Sequence, residues 1–171
     1  MNLLITCQRN MECETINEIT QLLDIFGDSN PNILKTKFSG IIIAETVLEA
    51  LEVIERFREK IENEPWELRY SSRIIPIQKI CQTDLASIRQ NVIDLIPSIK
   101  PDETYKISLE KRDSEIMRSE IISNIADLLT NKVSLEEPDW EIILQILGNK
   151  TGIGVMPKNS ILSITKIKRL D

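Results

Sequence analysis

The sequence predicts a mixed α/β (α+β) fold built in two parts. Apolar residues recur at helical spacing in some segments; in others they alternate or run together over four to eight residues. Clusters of Gly, Pro, Asn and Ser punctuate the segments. The chain has 171 residues, enough for one ordinary domain or two small ones.

Residues 2–7 read as a short buried strand. Residues 11–26 read as a helix: Ile16, Ile19, Leu22, Leu23 and Phe26 share a stripe, and Gly27 stops it. Asp28-Ser29-Asn30-Pro31-Asn32 is a turn cluster. Residues 33–38 and 40–44 read as a hairpin joined at Ser39-Gly40. Thr46 followed by Glu49 is a capping-box pattern. It opens a helix with Leu48, Leu51, Ile54, Phe57 and Ile61 on its apolar face, ended by Pro65. A strand is expected over 68–80, with Pro76 marking an edge or a bulge. The order β-α-β-β-α-β is the split βαβ, ferredoxin-like arrangement, and it assigns residues 1–80 to an N-terminal ferredoxin-like domain.

Residues 81–171 follow a different order and form a second domain. Asp84 caps a helix carrying Leu85, Ile88, Val92 and Leu95, which Pro97 ends. Residues 105–111 alternate as a strand. Lys111-Arg112-Asp113-Ser114 then leads into a helix with Ile122, Ile125, Ala126 and Leu129 inside. Trp140, Ile142, Leu144 and Ile146 alternate with polar residues as a half-buried strand. Short strands are expected at 153–156 and 161–167.

Composition narrows the chemistry. The chain contains no histidine, which removes Ser-His and Cys-His nucleophile pairs, imidazole bases and histidine-ligated metals. Cys7, Cys13 and Cys81 have no zinc-type spacing and read as small buried hydrophobes in a reducing compartment. No metal or cofactor is expected, and no enzymatic activity. No apolar run approaches the roughly 18–20 residues of a membrane span, and residues 1–7 lack a basic n-region. The expectation is a soluble cytoplasmic protein with neither membrane nor DNA as a partner. Net charge is −6, but it is unevenly spread. Residues 1–68 carry a net of −7 and residues 69–171 a net of +1. A nucleic-acid face needs a local basic patch, and the second part can supply one.

The second part resembles a THUMP domain, a tRNA-binding module of tRNA-modifying enzymes. The resemblance rests on Tyr105 to Arg112, on Arg118-Ser119-Glu120-Ile121-Ile122, and on Val133 to Asp139 with its Val-x-Leu-x-x-Pro turn. Residues 73–77 resemble the segment joining the family's N-terminal ferredoxin-like domain to the THUMP core. The implied architecture is an N-terminal ferredoxin-like βαββαβ domain packed on a C-terminal THUMP α/β domain. Most THUMP proteins carry a methyltransferase, thiouridine synthase, deaminase or pseudouridine synthase domain. No GxGxxG and no Ser-Gly-Gly loop appears, and the chain ends near the expected end of the THUMP domain. The resemblance is therefore to the stand-alone THUMP protein that assists N4-acetylation of cytidine in tRNA. It implies a tRNA-binding adaptor whose partner is an RNA cytidine acetyltransferase. Alternatives are a tRNA-binding subunit for thiolation or methylation, and an interaction module acting through the acidic helix with Glu45, Glu49, Glu52, Glu55, Glu59 and Glu62, without any RNA role. A fourth, an enzyme based on carboxylates or lysine, has no convergent pair to carry it: Glu136, Glu137 and Asp139 read as loop residues about Pro138.

The candidate RNA contacts are cations. Lys111 and Arg112 stand where a strand gives way to a helix, beside amides near residues 114–117 that lack intrahelical partners. Arg118 extends that site. The competing reading pairs Arg112 with Glu110 or Glu115. Arg69, Arg73 and Lys79 share strand parity and could line a groove. Lys150 and Lys158 lie in Gly- or Pro-containing turns, and Lys166, Lys168 and Arg169 make a basic C-terminus. Tyr70 is a candidate stacking platform; Tyr105 and Trp140 read as core.

Overall fold

The computed structural model describes residues 1–169. The chain divides into two compact units. The first holds β1 (Leu3–Cys7), α1 (Glu12–Phe26), β2 (Asn32–Lys35), β3 (Ile41–Glu45), α2 (Ala50–Asn63) and β4 (Ser71–Pro76). The second holds β5 (Lys79–Gln82), α3 (Leu85–Leu95), β6 (Tyr105–Arg112), α4 (Arg118–Ala126), β7 (Trp140–Leu147) and β8 (Lys150–Pro157). The chain then returns to the first unit with β9 (Leu162–Ser163) and α5 (Ile164–Arg169). The mixed α/β class expected from the sequence is the class observed.

In the first unit the sheet order is β2-β3-β1-β4-β9, and every neighbouring pair is antiparallel. Leu3 and Ile5 of β1 face the same core as the α1 stripe Ile19, Leu22, Leu23 and Phe26 and the α2 stripe Val53, Ile54, Phe57 and Ile61. Phe26 and Phe57 meet edge to face with ring centroids 5.0 Å apart. Burying a Phe side chain this fully contributes on the order of 1.5–3 kcal/mol. Gly27 closes α1 in the left-handed region, φ 117°, which a side chain would resist. Gly40 has φ 76°, and a Cβ there would lie 2.5 Å from the Cys7 carbonyl oxygen.

Local chemistry explains where the sequence reading and the fold part. Thr46 does not cap a helix: its hydroxyl donates to Asp28 Oδ2 at 2.6 Å. The helix instead starts at Ala50, with the Glu49 carboxylate accepting from the Glu52 amide at 2.9 Å. The single strand expected over 68–80 is two strands in different sheets, β4 and β5. The strand expected over 161–167 is only two residues long before α5 begins. The domain assignment 1–80 and 81–171 is corrected accordingly: the units part at Pro76, and residues 159–169 belong with the first. Cys7 and Cys81 are half-buried and burial raises their thiols, but Cys13 is exposed on α1, against the buried role read for it.

The second unit has sheet order β5-β8-β7-β6. β6 and β7 run parallel, which requires a crossover, and α4 lies in it. Asp84 caps α3 as expected, accepting from the Ser87 amide at 2.7 Å. Tyr105, Leu109, Ile142, Leu144, Ile146, Ile153 and Val155 point to one face, against Ile88 and Val92 of α3 and Ile121 and Ile125 of α4. No helix among the described residues is long and apolar enough to cross a membrane.

Candidate nucleic-acid interface

Alternation along β6 decides which cations meet. Tyr105, Ile107 and Leu109 pack toward the helices, and Lys111 is next on that parity. It has run past the helical cover and is exposed. The backbone then turns through Asp113 at φ 53°, and residues 113–117 form a loop before α4. The helix therefore starts at Arg118, later than the amides near 114–117 suggested. Met117 precedes it with no capping side chain; the Glu120 amide donates to the Met117 carbonyl, which leaves the Arg118 and Ser119 amides at the positive end of the helix.

Two cations lace this junction from opposite sides. Lys111 Nζ donates to the Ile116 carbonyl at 2.8 Å. Arg118 Nη1 donates to the Leu109 carbonyl at 2.5 Å. Neither has an ion-pair partner among the described residues. Each spends one donor on a carbonyl and keeps others for a ligand. The β6–β7–β8 register aligns Arg112 with Leu147 and Leu147 with Lys150. Lys150 therefore lies two strands over at the same sheet end, roughly 10 Å from Arg112 in the backbone. Lys111 and Arg118 thus share one end of the second unit with Lys150, whose face parity on β8 is that of Arg112. Asp84, Asp113 and Glu115 lie at that end too.

The other candidates do not join them. Arg112 points to the opposite sheet face, where Nη2 meets Glu110 Oε2 at 2.8 Å and Nη1 meets Gln145 Oε1 at 2.9 Å. Gln145 is 1% exposed. This half-buried bridge removes Arg112 from the cradle and makes it a structural cation. Lys79 pairs with Asp94 at 3.0 Å, and that contact holds the Asp94 carboxyl below its ordinary value. Lys158 follows the far end of β8; its amide bonds the Asp139 carbonyl at 2.9 Å. Seven residues of strand separate the two ends, so Lys158 is roughly 20 Å or more from Lys111. Arg73 is half-buried on β4 and already engaged, and Arg69 lies at the entry to β4; both belong to the first unit. Within the second unit, Lys79, Arg112 and Lys158 therefore stand apart from the Lys111–Arg118 junction.

A feature missed in the sequence is Trp66, 64% exposed in a 3₁₀ turn at Pro65–Glu67. A large aromatic just past a helix-ending proline was the available signal. Among the described residues no group of His, Cys, Asp or Glu is placed to hold a metal ion.

Residues 82–156 match the THUMP domain, and a THUMP domain is present in the chain. An uncharacterized protein of Methanocaldococcus jannaschii is 25% identical over 99% of this chain and 44% of its own length. The chain thus spans less than half of that relative. A crystal structure from Pyrococcus horikoshii superposes with TM-score 0.65 at 13% identity, covering 92% of this chain and 55% of that one. TrmN from Thermus thermophilus gives 0.62 at 12%, with 92% and 47% covered. A 4-thiouridine synthetase solved with RNA and ATP gives 0.54 at 9%, with 94% and 44% covered. These structures share the fold.

Proposed function

We propose that this chain binds tRNA through its THUMP domain and presents it to a separate modifying enzyme, with no catalysis of its own. The observation that carries the reading is the β6–α4 junction inside that domain, where Lys111 and Arg118 each donate to a backbone carbonyl and neither has an ion-pair partner among the described residues. Cations beside uncapped helical amides suit phosphate oxygens. Phosphate and 2′-hydroxyl contacts then dominate over base reading. The similar 4-thiouridine synthetase, crystallised with RNA, supports RNA as the ligand of this fold.

The finer reading names the partner as an RNA cytidine acetyltransferase that forms N4-acetylcytidine, with the acetyl transfer belonging to that enzyme. It rests on the THUMP resemblance carried by residues 105–139, together with the lack of a GxGxxG or Ser-Gly-Gly loop in these 171 residues. Mapping modified nucleosides in tRNA from a deletion strain tests it. Loss of N4-acetylcytidine, restored by the wild-type chain, is the expected result; intact N4-acetylcytidine rejects the partner.

A second reading assigns the chain to thiolation or methylation. The similarity to the 4-thiouridine synthetase favours thiolation. The same map separates the two, because a missing thiolated or methylated nucleoside replaces the acetylated one.

A further inference from the structure

The first unit holds a cavity of about 300 Å³ between the loop entering β4, the start of α1 and the helix α5. Its charged lining residues are Arg69 and Lys168, and no carboxylate lines it. That is unexpected in the half of the chain where residues 1–68 carry a net of −7. Low-dielectric walls with one sign of charge focus the field inward and select an anion.

The donors are available. The Arg69 guanidinium makes no hydrogen bond or ion pair with a described residue. Lys168 Nζ donates to the Leu68 carbonyl, leaving two of its three N–H donors. Ser72 and Thr165 add hydroxyls. Beside the cations, Tyr70 is 36% exposed and turns toward the cavity.

This loop is held in place from below. Glu18, 8% exposed, accepts from the backbone amides of Arg69, Tyr70 and Ser71 and from the Ser71 hydroxyl at 2.6 Å. The ring and the guanidinium are thus presented on a fixed backbone, which lowers the ordering cost of binding. The volume is at the small end of the about 300–1,000 Å³ typical of ligand sites, so it admits one nucleotide and no duplex. A ring beside cations is the pattern that holds unpaired nucleic acid: stacking for the base, charge for the phosphate. A neighbouring cavity shares Arg69 and Tyr70 but is lined by Glu14 and Glu67, which repel phosphate and direct it to the Lys168 side.

We propose that this cavity holds one unpaired ribonucleotide, its phosphate between Arg69 and Lys168 and its base on the Tyr70 ring. The proposal rests on the RNA-binding reading but uses residues outside the THUMP domain. The test measures affinity of the full chain for a short fluorescent oligoriboadenylate, for a duplex RNA and for tRNA, at low salt. Arg69→Glu and Tyr70→Ala should each weaken oligoriboadenylate binding by on the order of tenfold, with duplex affinity unchanged and Tyr70→Phe restoring binding. Amide shifts of Ser72 and Thr165 should follow the oligoriboadenylate titration. If both variants keep full oligoriboadenylate affinity while Lys111→Ala/Arg118→Ala weakens tRNA, the cavity assignment is overturned and the proposed function stands. If oligoriboadenylate binds in a Tyr70-dependent way but tRNA does not bind, the cavity stands and the proposed function falls. An acidic peptide that displaces oligoriboadenylate at equal concentration overturns the nucleotide assignment.

Discussion

Replacing Lys111 and Arg118 together by alanine removes two cations of the β6–α4 junction that have no ion-pair partner among the described residues. A charge-assisted bond is worth about 1.5–3 kcal/mol when well formed, and solvent at this exposed site reduces it to about 1 kcal/mol each. The pair then accounts for about 2 kcal/mol, roughly a 30-fold weaker Kd for tRNA. Two lost phosphate contacts also lower the slope of log affinity against log salt by about 1.4–1.8. Arg118 additionally ties α4 to the Leu109 carbonyl, so up to about 1 kcal/mol of folding stability goes with it. Anisotropy titrations at several salt concentrations, paired with urea unfolding, separate the two effects. Unchanged affinity and an unchanged salt slope in a folded double variant would refute the reasoning.

Three further outcomes follow from named contacts. Arg112→Ala removes the bonds from Arg112 to Glu110 and to the buried Gln145, so it should lower unfolding free energy by about 1–3 kcal/mol while the tRNA salt slope stays unchanged; a lower slope with intact stability would return Arg112 to the interface. Gly40→Ala combines a positive φ with a 2.5 Å approach to the Cys7 carbonyl and should cost at least about 1–3 kcal/mol in urea unfolding; a neutral result would mean the β1–β3 junction moves freely. The Asp28 carboxyl is held below its ordinary value of 3.8, chiefly by the Thr46 hydroxyl. A depressed carboxyl stabilises the fold above the unfolded value and loses that contribution as pH falls through the folded one. Asp28→Asn should therefore be destabilised at neutral pH, and its gap from wild type should narrow below pH 3.8; a constant gap from pH 6 to pH 3 would remove Asp28 as a source of acid sensitivity.

Periodicity made the helices and most strands legible because each buries one face, as the α1 and α2 stripes show. It misplaced starts and ends wherever a distant side chain intervened. Thr46 looked like a helix cap, yet Asp28, eighteen residues earlier, takes its hydroxyl. The 68–80 run is continuous in sequence but changes sheets after Pro76, and hydropathy carries no sign of which sheet a strand joins. The site was legible only as a location. The sequence reading put Lys111 and Arg112 in one site, although strand alternation sends them to opposite faces of β6; Glu110, two residues away, was visible as a partner for Arg112. Gln145 became visible only through the parallel β6–β7 register. Lys158 lay beyond sequence reasoning for the same reason: which end of the sheet a turn occupies depends on the strand order.

The most direct measurement is the affinity of the intact, unmutated chain for tRNA as salt is raised. The proposed function predicts micromolar or tighter binding at low salt, falling steeply with ionic strength, and much weaker binding to a DNA duplex of equal length. No binding at low salt, or equal affinity for that DNA, would contradict it.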